Sequence, residues 1–185
     1  MDFETTQRIQ PELAATERLL WAGRPAQGLV LRKADLFMIP FSLLWGGFAI
    51  FWEYSAWSTG APLFFLLFGL PFVLMGLYLI VGRFFADAYI RGRTYYAVSD
   101  ARILILTEAF SRSLKSMDLK TVTDVSLSQR GIDGGTIFFG PANPLVRRAG
   151  GAWPGSSQGV TPSFELDTGA RNAYEIIRAA QRDAS

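Results

Sequence analysis

Between residues 36 and 82 the chain offers water almost nothing to hold. Of these 47 residues only Glu53 carries a charge. Residues 36–52, LFMIPFSLLWGGFAIFW, make 17 uncharged positions, and residues 54–82 make 29 more. About 20 residues at a 1.5 Å rise cross a hydrocarbon core of roughly 30 Å. The block is therefore expected to form two membrane-spanning helices, over about 34–53 and 62–82. Ala34 and snorkelling by Arg32 and Lys33 would lengthen the first. A soluble protein of 185 residues could not cover two such helices on every side.

Pro40, Pro71 and the glycines Gly46, Gly47, Gly69 and Gly76 suit helices in lipid, where small residues let backbones approach. A hairpin with its loop at 53–61 is expected, with Trp52, Tyr54 and Trp57 at headgroup level. The Gly-bearing faces could also pair copies of the chain into a homo-oligomer. Five basic residues precede the first span (Arg8, Arg18, Arg24, Arg32 and Lys33), the loop has none, and 13 follow the second span. The positive-inside rule then places both termini in the cytoplasm. The polar, acid-containing first 35 residues do not resemble a cleavable leader.

The flanks read as three parts: an N-terminal segment 1–33, the hairpin 34–83, and a cytoplasmic domain 84–185. In 11–22, PELAATERLLWA, Pro11 suits a first helical position and Gly23 with Pro25 supplies a stop, so a short amphipathic helix is expected. After the hairpin the pattern changes to short runs rich in β-branched and aromatic residues. TYYAV (94–98) and RILILT (102–107) read as strands around the turn Ser99-Asp100-Ala101. Further strands are expected over 110–116, 122–129, 136–139 and 163–166. Asp133-Gly134 is taken as the positive-φ hairpin turn, and AYEIIRAAQR as a closing helix with Ala173, Ile176, Ile177 and Ala180 inward. The fold class is thus α+β: a two-helix transmembrane hairpin, then an antiparallel β-barrel or sandwich capped by a C-terminal helix. Residues 140–162 hold five Gly and four Pro in 23 positions and read as a flexible loop. There Leu145, Val146, Arg147, Arg148 and Trp153 are candidate partner contacts.

The order of these features resembles bacterial membrane proteins with a pleckstrin-homology-like (PH-like) cytoplasmic domain. The likeness rests on LLWAGRP, the helical hairpin, Tyr95-x-x-Val98-Ser99-x-x-Arg102-Ile103, Gly134-Gly135-Thr136-Ile137 and the terminal NAYEIIRAA. It covers residues 17 to 180, and the order is more specific than any one motif. The resemblance implies a helix-capped barrel at the bacterial inner membrane that serves protein assembly or membrane contact rather than catalysis. It would put Tyr95 and Val98 in the core, and Arg102 beside Asp100. The first-strand loop Ser99-Asp100-Ala101 is short and acidic, unlike the basic phosphate-cradling loop of phosphoinositide-binding relatives.

The chemistry left to such a chain is narrow. With no Cys and no His, thiolate and imidazole metal sites, cysteine nucleophiles and Ser-His-Asp triads are excluded. No GxxxxGK[ST], GxGxxG or GxSxG occurs. No catalytic residue, metal ligand or cofactor site is expected, and no nucleic-acid partner. The expected function is therefore non-catalytic: an integral membrane protein whose PH-like domain assembles with a protein partner at the cytoplasmic face. Two alternatives stand beside it. One is an anionic-lipid-binding module using Arg83, Arg91 and Arg93, each gaining about 1 kcal/mol near an anionic leaflet. The other is a subunit of an oligomeric transporter or channel.

Overall fold

The computed structural model of the chain describes residues 2–32, 34–140 and 162–184. It is an α+β protein in which two long apolar helices are followed by antiparallel sheets and a C-terminal helix. Helix α1 (Phe3–Ile9) runs into a 3-10 turn at Gln10–Glu12. Strand β1 (Leu19–Gly23) comes next, then helix α2 (Asp35–Ser58) and helix α3 (Leu63–Leu77). One π-helical turn (Tyr78–Gly82) joins α3 to helix α4 (Arg83–Gly92), so the second long helix runs unbroken for 30 residues.

Helix α2 is longer than the sequence suggests. It continues through Glu53 to Ser58, which leaves only residues 59–62 for the turn and puts Glu53 inside the helix. Both long helices suffice in length and composition to cross a membrane. Only 22% of the most apolar stretch of α2 and 17% of that of the second helix is buried, far less than a soluble core helix would show. Instead Leu36, Phe37, Leu44, Phe48 and Phe51 on α2 stand exposed, as do Phe64, Leu67 and Leu74 on α3.

The helices meet at glycines. A Cβ on Gly76 would lie 2.8 Å from the Gly46 Cα, so the crossing admits no larger residue without the backbones parting. Nearer the turn, Gly69 makes room for the Glu53 carboxylate, whose Oε2 is buried without a hydrogen-bond partner among the described residues. Gly46, Gly69 and Gly76 are thus consumed within the hairpin, and of the four glycines read as helix-pairing positions only Gly47 opens onto empty space.

Strands β2 (Thr94–Ser99), β3 (Arg102–Glu108) and β4 (Arg112–Asp118) form a meander that β1 joins at its edge, giving the order β1-β2-β3-β4. A second sheet, β5-β6-β7, is built from Val125–Arg130, Gly134–Phe139 and Ser163–Leu166. The two sheets do not join into a closed barrel among the described residues. Successive side chains of a strand point to opposite faces. Here both faces of the first sheet are apolar. Tyr96, Val98, Ile103 and Ile105 face the second sheet and helix α5 (Ala170–Ala184), packing with Ile137, Phe164, Ala173 and Ile177. Tyr95, Ala97, Leu104 and Leu106 face the other way and are covered by Ile9, Leu13 and Leu19 of the N-terminal segment. Tyr95 and Val98 are both buried, on opposite sides.

Three local readings change. The expected helix over 11–22 is instead a 3-10 turn, a connector and β1, with a helix only earlier, at α1. The edge of β2 offers Leu19–Gly23 a backbone partner, and Trp21 stacks on Phe164 at 5.7 Å, which outweighs the helical propensity of the neighbouring residues. The β5–β6 turn takes its positive φ at Gly131 (φ 70°), not at Asp133-Gly134. Gly134 and Gly135 lie in β6, where a Cβ would stand 2.6 Å from the Asp167 carbonyl oxygen and 2.8 Å from that of Ser128. Close approach, not turn geometry, requires them. Asp133 meanwhile accepts from the Gly169 N–H at 3.0 Å, holding the start of α5.

Candidate functional site: a buried charged joint

Arg83, Asp87 and Arg91 recur every four residues, so they form one stripe along α4. All three are buried. The segment between β1 and α2 runs over this stripe and supplies the matching groups. Asp35 opens α2 and meets Arg83 at 2.7 Å. Asp87 sits between two guanidiniums, accepting from Arg91 at 2.8 Å and from Arg32 at 3.0 Å. Arg32 also reaches Glu165 on β7 at 3.1 Å. Arg91 donates further to the Ala26 and Gly28 carbonyls, and the Ala26 N–H donates to the Glu165 carbonyl at 2.9 Å. Three arginines and three carboxylates thereby tie together the second helix, the connector, the start of α2 and the second sheet.

Burial of charges is costly, and pairing with good geometry is what makes it sustainable. Burial works against the Arg32 charge, but Glu165 and Asp87 outweigh it and raise its pKa further, so the Arg32 guanidinium stays charged. Arg83 is less completely served: its Nε and Nη2 have no hydrogen-bond partner among the described residues, while its guanidinium lies 4.4 Å from the Phe84 ring centroid. Each carboxylate of the joint faces an arginine, which suits it to fixing orientation.

A second set of ion pairs clasps the N-terminal segment to the outer face of the first sheet. Arg24 contacts Asp2 and Glu4 and lies over the Tyr95 ring at 4.9 Å. Arg8 meets Glu108, and Glu12 meets Arg112. Glu17 is the best-enclosed member. It accepts from Arg102 at 2.9 Å, from the Ser99 hydroxyl at 2.5 Å and from the Ala14 N–H at 2.9 Å. The Arg102 hydrogen bonds, opposed by burial and helped by Ser99, bring the Glu17 carboxyl down to about 2. Arg102 therefore pairs with Glu17 rather than with Asp100, which accepts from the Arg18 N–H instead.

The three arginines singled out for lipid headgroups separate. Arg83 and Arg91 turn inward because carboxylates and carbonyls of the connector wait there, so they are not on a headgroup-facing surface. Arg93 is exposed and lies over the Tyr89 ring at 4.0 Å. Leu145, Val146, Arg147, Arg148 and Trp153 lie outside the described residues. Arg32, Asp35, Asp87 and Glu165 were not read as site residues from sequence. The spacing Arg83-x-x-x-Asp87-x-x-x-Arg91 is a signal that could have found Asp87, but nothing local marks Arg32, Asp35 or Glu165. Among the described residues no group of three or more His, Cys, Asp or Glu could hold a metal ion. Comparison with known proteins gives no matching family model, no matching curated protein and no matching solved structure.

Proposed function

We propose that this chain is a non-catalytic integral protein of a bacterial inner membrane, whose PH-like cytoplasmic domain presents a binding surface to a protein partner. The observation that carries the reading is the buried joint. Ion pairs that bridge the hairpin, the connector and β7 hold the domain in one pose relative to the helices. A fixed pose serves presentation, since a partner meets an already oriented surface and loses less freedom on binding. The membrane location is supported by two long helices with exposed apolar faces. A two-pass topology is supported by β1 and β2, which flank the hairpin yet pair in one sheet. The PH-like reading is supported by two antiparallel sheets closed by α5.

Cross-linking in native membranes tests the proposal. A discrete cross-linked partner is expected with the wild-type chain, and its yield should fall for Asp87→Ala while membrane insertion persists. A chain that cross-links to no protein, or whose capture ignores Asp87→Ala, would overturn it. Reporters fused after Thr59 and after Ser185 should lie outside and inside; the reverse pattern would sink the orientation.

A further inference from the structure

The outward face of the second long helix does not change character where its hydrophobic span ends. Leu77, Val81, Phe85 and Tyr89 follow one another at four-residue intervals, each between 42% and 62% exposed, and exposed Arg93 closes the series. On α4 the opposite stripe is the buried Arg83, Asp87 and Arg91. A helix in water has the reverse arrangement, with its aromatics covered and its charges outward. The arrangement fits a helix whose outer side faces lipid.

A second element reaches the same place. Phe110, in the turn between β3 and β4, is 81% exposed, and its ring centroid lies 5.6 Å from that of Tyr89. The Glu108 N–H donates to the Arg93 carbonyl at 2.8 Å, which pins this turn to the end of α4. Arg93 in turn lies over the Tyr89 ring. Phe85 lies two positions and Tyr89 six positions beyond Arg83, roughly 3 and 9 Å along the helix. With Arg83 at the hydrocarbon edge, those depths straddle the outer edge of the headgroup layer, which extends roughly 5–8 Å beyond the hydrocarbon. Aromatic rings and arginine are the side chains that favour that layer.

We propose that Phe85, Tyr89, Phe110 and Arg93 form an interfacial foot that seats the domain on the adjacent phospholipid leaflet. Phe85 lies within the headgroup layer, Tyr89 and Phe110 lie at its outer edge, and the Arg93 guanidinium, held over the Tyr89 ring, meets lipid phosphate from the water side. The inference rests on the reading of the two long helices as membrane spans.

The absence of cysteine from the chain makes the test direct. The full chain, carrying Leu44→Cys, Ser111→Cys or Ile132→Cys, is spin-labelled and reconstituted in vesicles of equal parts phosphatidylcholine and phosphatidylglycerol. Accessibility to oxygen and to a water-soluble nickel relaxer then gives depth. The expected result is a Leu44 label in hydrocarbon, a Ser111 label at headgroup depth and an Ile132 label in water. Adding Phe110→Ser and Arg93→Gln, which leaves the joint and the Glu108–Arg93 backbone bond in place, should raise the Ser111 label's accessibility to the nickel relaxer and leave the Leu44 label unchanged. A Leu44 label in lipid with a Ser111 label as aqueous as Ile132 overturns the foot and spares the spans. A Ser111 label shielded from both relaxers means protein covers the site, which also overturns it. An aqueous Leu44 label overturns the spans and the foot together.

Discussion

Two sets of ion pairs hold this molecule together, and they work in different dielectric surroundings. In the joint at the base of the hairpin, the side chains of Arg32, Asp35, Arg83, Asp87, Arg91 and Glu165 are all 20% exposed or less. In the N-terminal clasp, Arg8 and Arg112 are more than half exposed. Exposed pairs are screened by water and salt and contribute little each, whereas a buried charge that loses its partner is strongly destabilising. The joint should therefore behave as a unit that fails when one member is removed. The clasp should be lost gradually, apart from Glu17, which is enclosed like a member of the joint.

The largest effect is expected from Asp87→Ala, which leaves Arg32 and Arg91 buried without their shared carboxylate. A loss of about 3–5 kcal/mol is expected, read from urea unfolding of the domain in detergent micelles. A loss no greater than that for a clasp residue would erase the distinction between the two sets. Next comes Glu17→Gln, which removes the negative charge facing Arg102 and turns one accepting oxygen into an N–H₂ donor, and should cost about 2 kcal/mol by the same measurement.

The same residue sets a pH response. Its pKa falls from 4.5 to about 2 on folding, so its contribution is complete above pH 4.5 and fades as pH drops toward 2. Stability profiles of wild type and Glu17→Gln should converge across that window; parallel profiles would show that Glu17 is not the titrating group. The smallest effect belongs to Arg8→Gln at the exposed Glu108 pair. It should cost roughly 0.2–1 kcal/mol and nothing measurable in high salt. A larger, salt-insensitive loss would mean that the clasp is as firm as the joint.

What could be read in the sequence follows the range of the interactions that decide each feature. The hairpin is written in a contiguous apolar block, and the meander is written in short β-branched and aromatic runs such as TYYAV and RILILT split by a turn, so both emerge from local pattern. The strand β1 does not, because LLWAG becomes a strand only when the edge of β2, some seventy residues later, is available to it. The joint was half legible. The four-residue spacing of Arg83, Asp87 and Arg91 marks one helix face, but which face turns inward is decided by Arg32, Asp35 and Glu165, distant in the chain. Positive charge next to an apolar span reads first as a topology determinant, and that rule is blind to carboxylates folded against it. Gly134 and Gly135 show the same limit: a turn motif in sequence proves to be a packing requirement set by Asp167 and Ser128.

The pairing of β1 with β2 ties assembly to insertion. These strands bracket the whole hairpin, so on the two-pass reading a chain that threaded only one of its helices would leave β1 and β2 on opposite sides of the bilayer. The sheet would then lack its first strand, and Tyr95, Ala97, Leu104 and Leu106 would lose their cover. On that reading the fold of the sheet proofreads the insertion of the hairpin, complete only in molecules whose helices went in as a pair.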